Sequence, residues 1–266
     1  MKKNDYTTVT LTTGKVHIYD FGEVKLHAYQ TDDFLADEVF VLVKGSNAVV
    51  IESPCFTDSI RALTDYIGTL GVRVAGKLLA YHMAGATFLP NVPVYTTKNA
   101  DEYVREGGGK ALIDSFTGAF GEVFDNSIHA VTNFIEAGSV TIGGIEMNIL
   151  PTADAFDIEI PEINAVYLHM MGHDCHSIVA GEPHADALIA QLNQFAERGF
   201  DLILTSHYTP EDLKDAQTKA DYLNDLKTIA KSSGNAGEFQ AAVAAKYPNY
   251  SGENYLEMTT GFFFPA

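Results

Sequence analysis

Lys77-Leu78-Leu79-Ala80-Tyr81-His82 and Leu202-Ile203-Leu204-Thr205-Ser206-His207 share one design: a short apolar run of strand length, closed by a histidine. Apolar runs of four to eight residues between polar boundaries read as strands buried on both faces. A polar side chain just past such a strand sits where a sheet hands over to a loop, the position at which a rigid scaffold presents functional groups. The first half of the chain therefore ends a buried strand in His82, and the second half ends one in His207.

Upstream of the first run, Val16-His17-Ile18-Tyr19, Val24 to Tyr29 and Val39 to Val43 carry the alternation of consecutive antiparallel strands. Asn47 to Pro54 reads as a fourth, more buried strand ending in a breaker. Ile60, Leu63, Ile67 and Leu70 recur at helical spacing over Thr57 to Leu70, with Gly71 as the stop. Downstream, Pro93 to Thr96 is a short strand, and a helix begins at Asn99. Gly107-Gly108-Gly109-Lys110 lacks the spacing of a phosphate loop and reads as a flexible loop before a helical piece. Strands return at Val140 to Ile142, Ile145 to Leu150, Phe156 to Ile160 and Ala165 to Leu168. Helices follow at Ala185 to Arg198, Glu211 to Lys231 and Glu238 to Tyr247, and Phe262-Phe263-Phe264 reads as a tail docked on the core. Strands, helix, strand, helix, strands, helix, strand and helices fit two sheets packed face to face with helices outside. The expectation is a four-layer αββα sandwich, α/β in class, as a single domain over residues 1–266.

Composition narrows the function. The 266 residues are 46% hydrophobic, enough for a sizeable core. Thirty-five acids against 17 bases leave a formal charge of −18, which repels phosphate backbones and anionic membranes, so neither nucleic acid nor a membrane is an expected partner. Cys55 and Cys175 are too few for a disulfide framework. Met1-Lys2-Lys3 has the basic start of a signal peptide, but Thr7-Thr8-Val9-Thr10 follows with no apolar core. These features give a soluble cytoplasmic protein.

Three of the nine histidines, His169, His173 and His176, fall in one segment with Asp174 and Cys175. All of these residue types bind first-row metals. The plainer reading makes His169 a strand residue and leaves His173 and His176 hydrogen-bonding the turn.

In order and spacing, residues 16 to 230 resemble the metallo-β-lactamase superfamily. Val49-Val50-Ile51-Glu52-Ser53-Pro54 resembles the family strand that ends in an acid, with Glu52 where Asp is usual. Leu78 to His82 resembles the strand entering the H-x-H-x-D-H motif, the hairpin Phe156 to Gly172 the pair delivering the bridging Asp, and Leu202 to His207 the strand carrying the last metal-binding His. The resemblance implies a zinc-dependent hydrolase, and three departures alter it. Ala84, Ala86 and Thr87 occupy the other ligand positions of the motif, Pro151 to Asp157 contains no histidine, and His173 stands where the bridging Asp is expected. What survives is His82, His173 and His207, the composition of a mononuclear site with an open position. That implies one zinc ion per chain, or another divalent transition metal, acting on a small-molecule substrate, an ester, thioester or amide. Asp174 and His176 are candidates for catalytic roles beside it, and the alternative is a metal-free binding or scaffold protein. Because the dinuclear ligand set is incomplete, turnover of penicillins and carbapenems by the purified protein is expected to be absent; efficient hydrolysis in a spectrophotometric assay would contradict this account of the site.

Overall fold

The computed structural model describes residues 3–265; Met1, Lys2 and Ala266 lie outside them. The elements are β1 (Thr7–Thr10), β2 (Lys15–Asp20), β3 (Val24–Gln30), β4 (Glu38–Lys44), β5 (Asn47–Ile51), α1 (Thr57–Thr69), β6 (Arg73–Leu78) and β7 (Val94–Thr96). There follow α2 (Lys98–Glu106), α3 (Gly108–Phe120), β8 (Asn133–Phe134), β9 (Gly138–Ile142), β10 (Ile145–Pro151), β11 (Phe156–Ile160), β12 (Ala165–Leu168), α4 (Glu182–Arg198), β13 (Leu202–Thr205), β14 (Tyr208–Glu211), α5 (Leu213–Ser232), α6 (Ala236–Lys246) and α7 (Glu253–Phe263). One sheet runs β1 to β8 in sequence order; the other has the order β14-β13-β12-β11-β10-β9. Pairing is antiparallel until β5, then parallel from β5 to β8; in the second sheet β12 and β13 are parallel.

Two compact units emerge from the chain's contacts, Met1–Met170 with Leu202–Pro210, and Met171–Asp201 with Glu211–Ala266. In the first, Leu26, Ala28, Phe40, Leu42, Val49 and Ile51 of one sheet share a core with Met147, Ile149, Ile158, Tyr167 and Leu204 of the other. The opposite face of the first sheet, Val16, Tyr29, Val39, Val41 and Val50, packs against Ile60, Leu63 and Ile67 of α1. β4 is thus covered on both faces, so Val39 to Val43 are apolar throughout instead of alternating as expected. The second unit holds α4 to α7; Asp212 and Asp215 form a capping box at the start of α5.

Several expectations shift. β6 stops at Leu78 rather than reaching Tyr81, because the amides from Ala80 to His82 turn toward the Glu52 carboxylate, as described below. The glycine run is no flexible loop: α3 starts at Gly108, and a Cβ on Gly109 would lie 2.9 Å from the Tyr103 ring. β14 precedes α5 where a helix from Glu211 was expected. The aromatic tail belongs to α7, with Phe263 and Phe264 on Phe239 and Phe262 half exposed.

Lys77, on β6, is fully buried, and its ammonium donates to the carbonyls of Phe88 (2.7 Å) and Leu89 (2.9 Å) and to His129 Nδ1 (3.0 Å). With Nδ1 thereby an acceptor, His129 Nε2 carries the proton that reaches Ser53 Oγ at 2.9 Å. Burial pushes Lys77 down to about 8 and, with the charge of Lys77, His129 down to about 3. Burial likewise brings Lys219 of the second unit to about 8. Below pH 8 the fold bears the cost of two buried ammonium groups. Between pH 8 and the ordinary lysine value only the unfolded chain keeps those protons, so the cost falls away and stability rises with pH. The rise ends near pH 10, where buried tyrosines such as Tyr29 hold protons that the unfolded chain gives up. Thermal melts should therefore show the midpoint climbing from pH 8 to pH 9.5, with a shallower climb in Lys77→Met; a flat or falling profile would refute the assignment.

Candidate metal centre

The ends of four strands in the first unit are drawn together by one carboxylate. Glu52, just past β5, is fully buried and adopts φ +66°. A non-glycine residue held in that region signals a constraint imposed by its surroundings. Its Oε1 accepts from the backbone N–H of Tyr81 (3.0 Å) and Ala80 (3.3 Å) and from the Tyr167 hydroxyl (2.5 Å), and its Oε2 accepts from the N–H of His82 (2.8 Å). Tyr167 on β12 lies 2.6 Å from Ser206 Oγ, and Ser206 N–H donates to the His169 carbonyl at 2.9 Å. The parallel register Leu168↔Thr205 sets His169 and His207 past the ends of neighbouring strands, while Glu52 sets His82 past the end of β6. Gly85 lets the loop beyond His82 fold back, since a Cβ there would lie 2.1 Å from the Pro54 carbonyl.

Three imidazoles converge as a result. His169 Nε2 is 3.4 Å from His82 Nε2 and 3.4 Å from His207 Nε2. These separations are long for hydrogen bonds. They match the edge of a tetrahedron whose corners lie at zinc–nitrogen distances of 2.0–2.1 Å, roughly 3.3 Å. All three residues are half-buried, which leaves a side open to solvent.

Asp37 sets the tautomers. Its side chain is fully buried, with Oδ1 3.2 Å from His207 Nδ1 and 3.6 Å from His82 Nδ1, while Oδ2 accepts from the Cys55 thiol at 3.4 Å. His207 Nδ1 also lies 3.1 Å from the Leu35 carbonyl, so its proton sits on Nδ1 and its Nε2 presents a lone pair. Burial works against the Asp37 anion, yet His82 and His207 hold its carboxyl below the ordinary value. Burial lowers His207, but Asp37 and the Leu35 carbonyl outweigh it and raise the ring above its ordinary value. Burial, followed by His82 and His207, keeps His169 well below its ordinary value, in the neutral form that ligates metals. Tyr81 stacks on the His169 ring at 4.4 Å, and its hydroxyl meets Thr152 Oγ1 at 3.0 Å.

The ring that joins His82 and His207 is therefore His169, not His173. The reason lies in where β12 ends: Leu168 is its last residue, and the imidazole immediately after it occupies the strand-end position. His173 belongs to the second unit, where its Nδ1 meets Glu211 Oε1 at 2.8 Å. His176 is buried there with Nδ1 2.9 Å from the Tyr222 hydroxyl, and the Asp174 carbonyl accepts from Ser251 N–H. Thr87 is tied to Asp125 through both its N–H and its hydroxyl. Among the described residues, the donor clusters able to hold an ion are His82/His169/His207 and His173/Glu211/Asp215.

No protein-family model and no curated protein matches the sequence. Solved structures do. A metallo-beta-lactamase family protein from Thermus thermophilus superposes with a TM-score of 0.61 over 91% of this chain and 91% of its own, at 15% identity. The metallo-beta-lactamase of Erythrobacter litoralis gives 0.57 over 82% of this chain and all of its own, at 14% identity. The stereoselective inverting sec-alkylsulfatase of Pseudomonas sp. gives 0.61 over 90% of this chain at 15% identity; this chain spans 48% of that enzyme. The chain has the metallo-β-lactamase fold.

Within that fold, Glu52 is a structural clamp rather than a reacting group, since each oxygen is taken by a donor. Glu52→Gln would set an amide N–H against at least one of those donors. The expected cost is about 1–3 kcal/mol for a buried donor left unmet. The variant should also lose metal-dependent stabilisation, because His82 is positioned through its own amide. A variant that melts and binds zinc like the parent would refute the clamp.

Proposed function

We propose that the chain is a metal-dependent hydrolase of the metallo-β-lactamase fold whose first unit holds a single divalent ion, zinc being the fitting choice, on His82, His169 and His207. The observation that carries this reading is the convergence of three Nε2 atoms with His169 at 3.4 Å from each neighbour. A metal-free scaffold accounts less well for the same residues: a wholly buried Asp37 carboxylate would have two imidazoles and the weak thiol donor of Cys55 beside it, and burying an undercompensated charge is costly. Solved neighbours described as a lactamase and a sulfatase support hydrolysis as the reaction class.

The residues fit the ion. Three neutral nitrogen donors with an open face make up a catalytic rather than a structural zinc site. When bound, the ion would supply Lewis acidity and a water ionised near neutral pH. The chain's own contribution is orientation. Asp37 keeps the His207 proton on Nδ1, so that Nε2 faces the centre; Tyr81 fixes the plane of His169; Glu52 fixes the backbone that carries His82. With no carboxylate among the three donors, the positive charge at the centre would be offset only from behind the rings, by Asp37 and Glu52, an arrangement that favours the oxyanion formed when an ester, thioester or amide is attacked. A small molecule of that class is the proposed substrate.

Metal analysis of protein purified without an affinity tag tests the proposal. His82→Ala, His169→Ala and His207→Ala should each lose the ion together with the rise in melting temperature that added zinc gives the parent. That rise corresponds to about 2.7 kcal/mol at a hundredfold excess over Kd. Asp37→Asn should bind zinc about 10–100-fold more weakly in chelator competition, as expected when a carboxylate orienting a ligand imidazole is lost. A parent melting curve indifferent to both chelator and zinc would overturn the reading.

A further inference from the structure

The core-facing side of the first sheet carries polar side chains that neither the histidine centre nor the Glu52 clamp uses. Ala28 of β3 points into the core shared with the second sheet, so alternation sets Gln30 on the same face. The register places Glu38 of β4 and Lys15 of β2 on either side of Gln30, and His17 of β2 opposite Ala28. Lys15 is exposed, whereas His17 is buried and Glu38 is only 1% exposed. Both carboxylate oxygens of Glu38, Gln30 Oε1 and His17 Nδ1 are buried without a hydrogen-bond partner.

Buried polar atoms are nearly always paired, because each one left unmet forfeits its hydration for nothing. Four such atoms on one face, from three adjacent strands around the methyl group of Ala28, mark a place for a group that brings hydrogen-bond donors. An aromatic wall stands beside them. The Tyr6 ring stacks on His17 with centroids 4.1 Å apart and lies 5.2 Å from the Tyr19 ring, whose hydroxyl donates to the Lys3 carbonyl at 2.8 Å. Tyr6 is 36% exposed, so this wall borders solvent. Glu38 is fixed through its backbone, with its N–H donating to the Ser206 carbonyl at 2.5 Å.

Charge and valence select the occupant. Burial, then the charge of Lys15, lowers His17 and favours its neutral form, in which Nδ1 accepts when the proton is on Nε2. All three side chains are then acceptors. A primary ammonium has three N–H donors for three acceptor side chains and one positive charge for one carboxylate, and aromatic faces attract it. A divalent metal would leave surplus positive charge near Lys15, and an anion would meet no donor. The net charge of −18 draws cations toward the protein as a whole. In the empty site burial raises the Glu38 carboxyl well above its ordinary value, with Lys15 opposing, so the side chain keeps its proton until a cation replaces it.

We propose that Glu38, Gln30 and His17 form a binding site for the primary ammonium group of a small amine, with Tyr6 and Tyr19 as its aromatic wall. The site lies within the first unit and shares no side chain with the three-histidine centre. Its presence does not depend on the hydrolase reading.

Calorimetric titration of the whole chain with n-butylammonium chloride tests it, beside tetramethylammonium chloride as a cation without N–H donors. Butylammonium should bind saturably and raise the melting temperature, and tetramethylammonium should do neither. Binding turns the neutral Glu38 carboxyl into its anion, so it should release a proton, read as unlike heats in buffers of unlike ionisation enthalpy. Glu38→Gln should bind about tenfold or more weakly, as expected for a lost hydrogen bond to a charged group, and release no proton. Gln30→Met, at a partly exposed position, should also weaken binding and decides the matter if Glu38→Gln folds poorly. Lys15→Met should bind at least as tightly as the parent. A parent without saturable butylammonium binding, equal binding of tetramethylammonium, or a Glu38→Gln protein that binds like the parent would leave a protonated acid beside ordered water and overturn the proposal. Binding seen only in Lys15→Met would put the chain's own lysine in the site and overturn it as well.

Discussion

The Glu52 carboxylate is the constraint on which the strand-end geometry depends. Three successive backbone amides, Ala80, Tyr81 and His82, and the Tyr167 hydroxyl all end on its two oxygens. An anion so surrounded has traded its water for donors fixed in space, so its burial is compensated only while all of them stay in place. The same four donors bring β6 and β12 to β5, and Ser206 extends the chain of bonds to β13. Any movement of one strand end would strand a buried donor, and the cost of that holds the three imidazoles in register without a ligand.

Asp37 does a different task from the opposite side. Glu52 fixes backbone, whereas Asp37 faces two rings and decides which nitrogen of His207 is free. Its full burial would be expensive as an isolated charge, and the imidazoles 3.2 and 3.6 Å away offset that only in part. A cation on the far nitrogens of those rings would complete the compensation through the ring. The electrostatics of Asp37 and the nitrogen spacing are separate observations that favour the same occupant.

Much of this was legible in the sequence, and the limits have physical causes. The buried runs ending in His82 and His207 announce themselves because parallel strands covered on both faces are continuous apolar segments. Glu52 is visible as an acid closing such a run. His169 and His173 could not be told apart by composition. The difference between them is where β12 stops, and strand ends are set by tertiary partners, here the Ser206 amide that takes the His169 carbonyl. Asp37 gives no signal of its own in a segment that reads Thr31-Asp32-Asp33-Phe34-Leu35-Ala36-Asp37: only the return of the chain at Leu35 to His207, 172 positions later, singles it out from Asp32 and Asp33. The early end of β6 was hidden for the same reason, since Leu79, Ala80 and Tyr81 are apolar enough to pass for strand while the amides of Ala80 and Tyr81 serve a carboxylate nearly thirty residues away.

The loop after His82 shows how a ligand-poor segment keeps its shape. Ala84, Ala86 and Thr87 supply no imidazole or carboxylate, so no ion anchors these positions. Instead the loop is fastened at points spread along it. The Met83 carbonyl accepts from His129 N–H, Gly85 N–H donates to the Asp125 carbonyl, Thr87 is bound by the Asp125 side chain, and Lys77 takes the carbonyls of Phe88 and Leu89. His129 closes the circuit to Ser53, the residue after Glu52. A buried ammonium with three acceptors is a directional anchor, and it ties the loop to the strand end that carries the clamp. The segment is therefore held through protein hydrogen bonds alone, and the proposed metal site of the first unit rests on the three histidines beyond the strand ends.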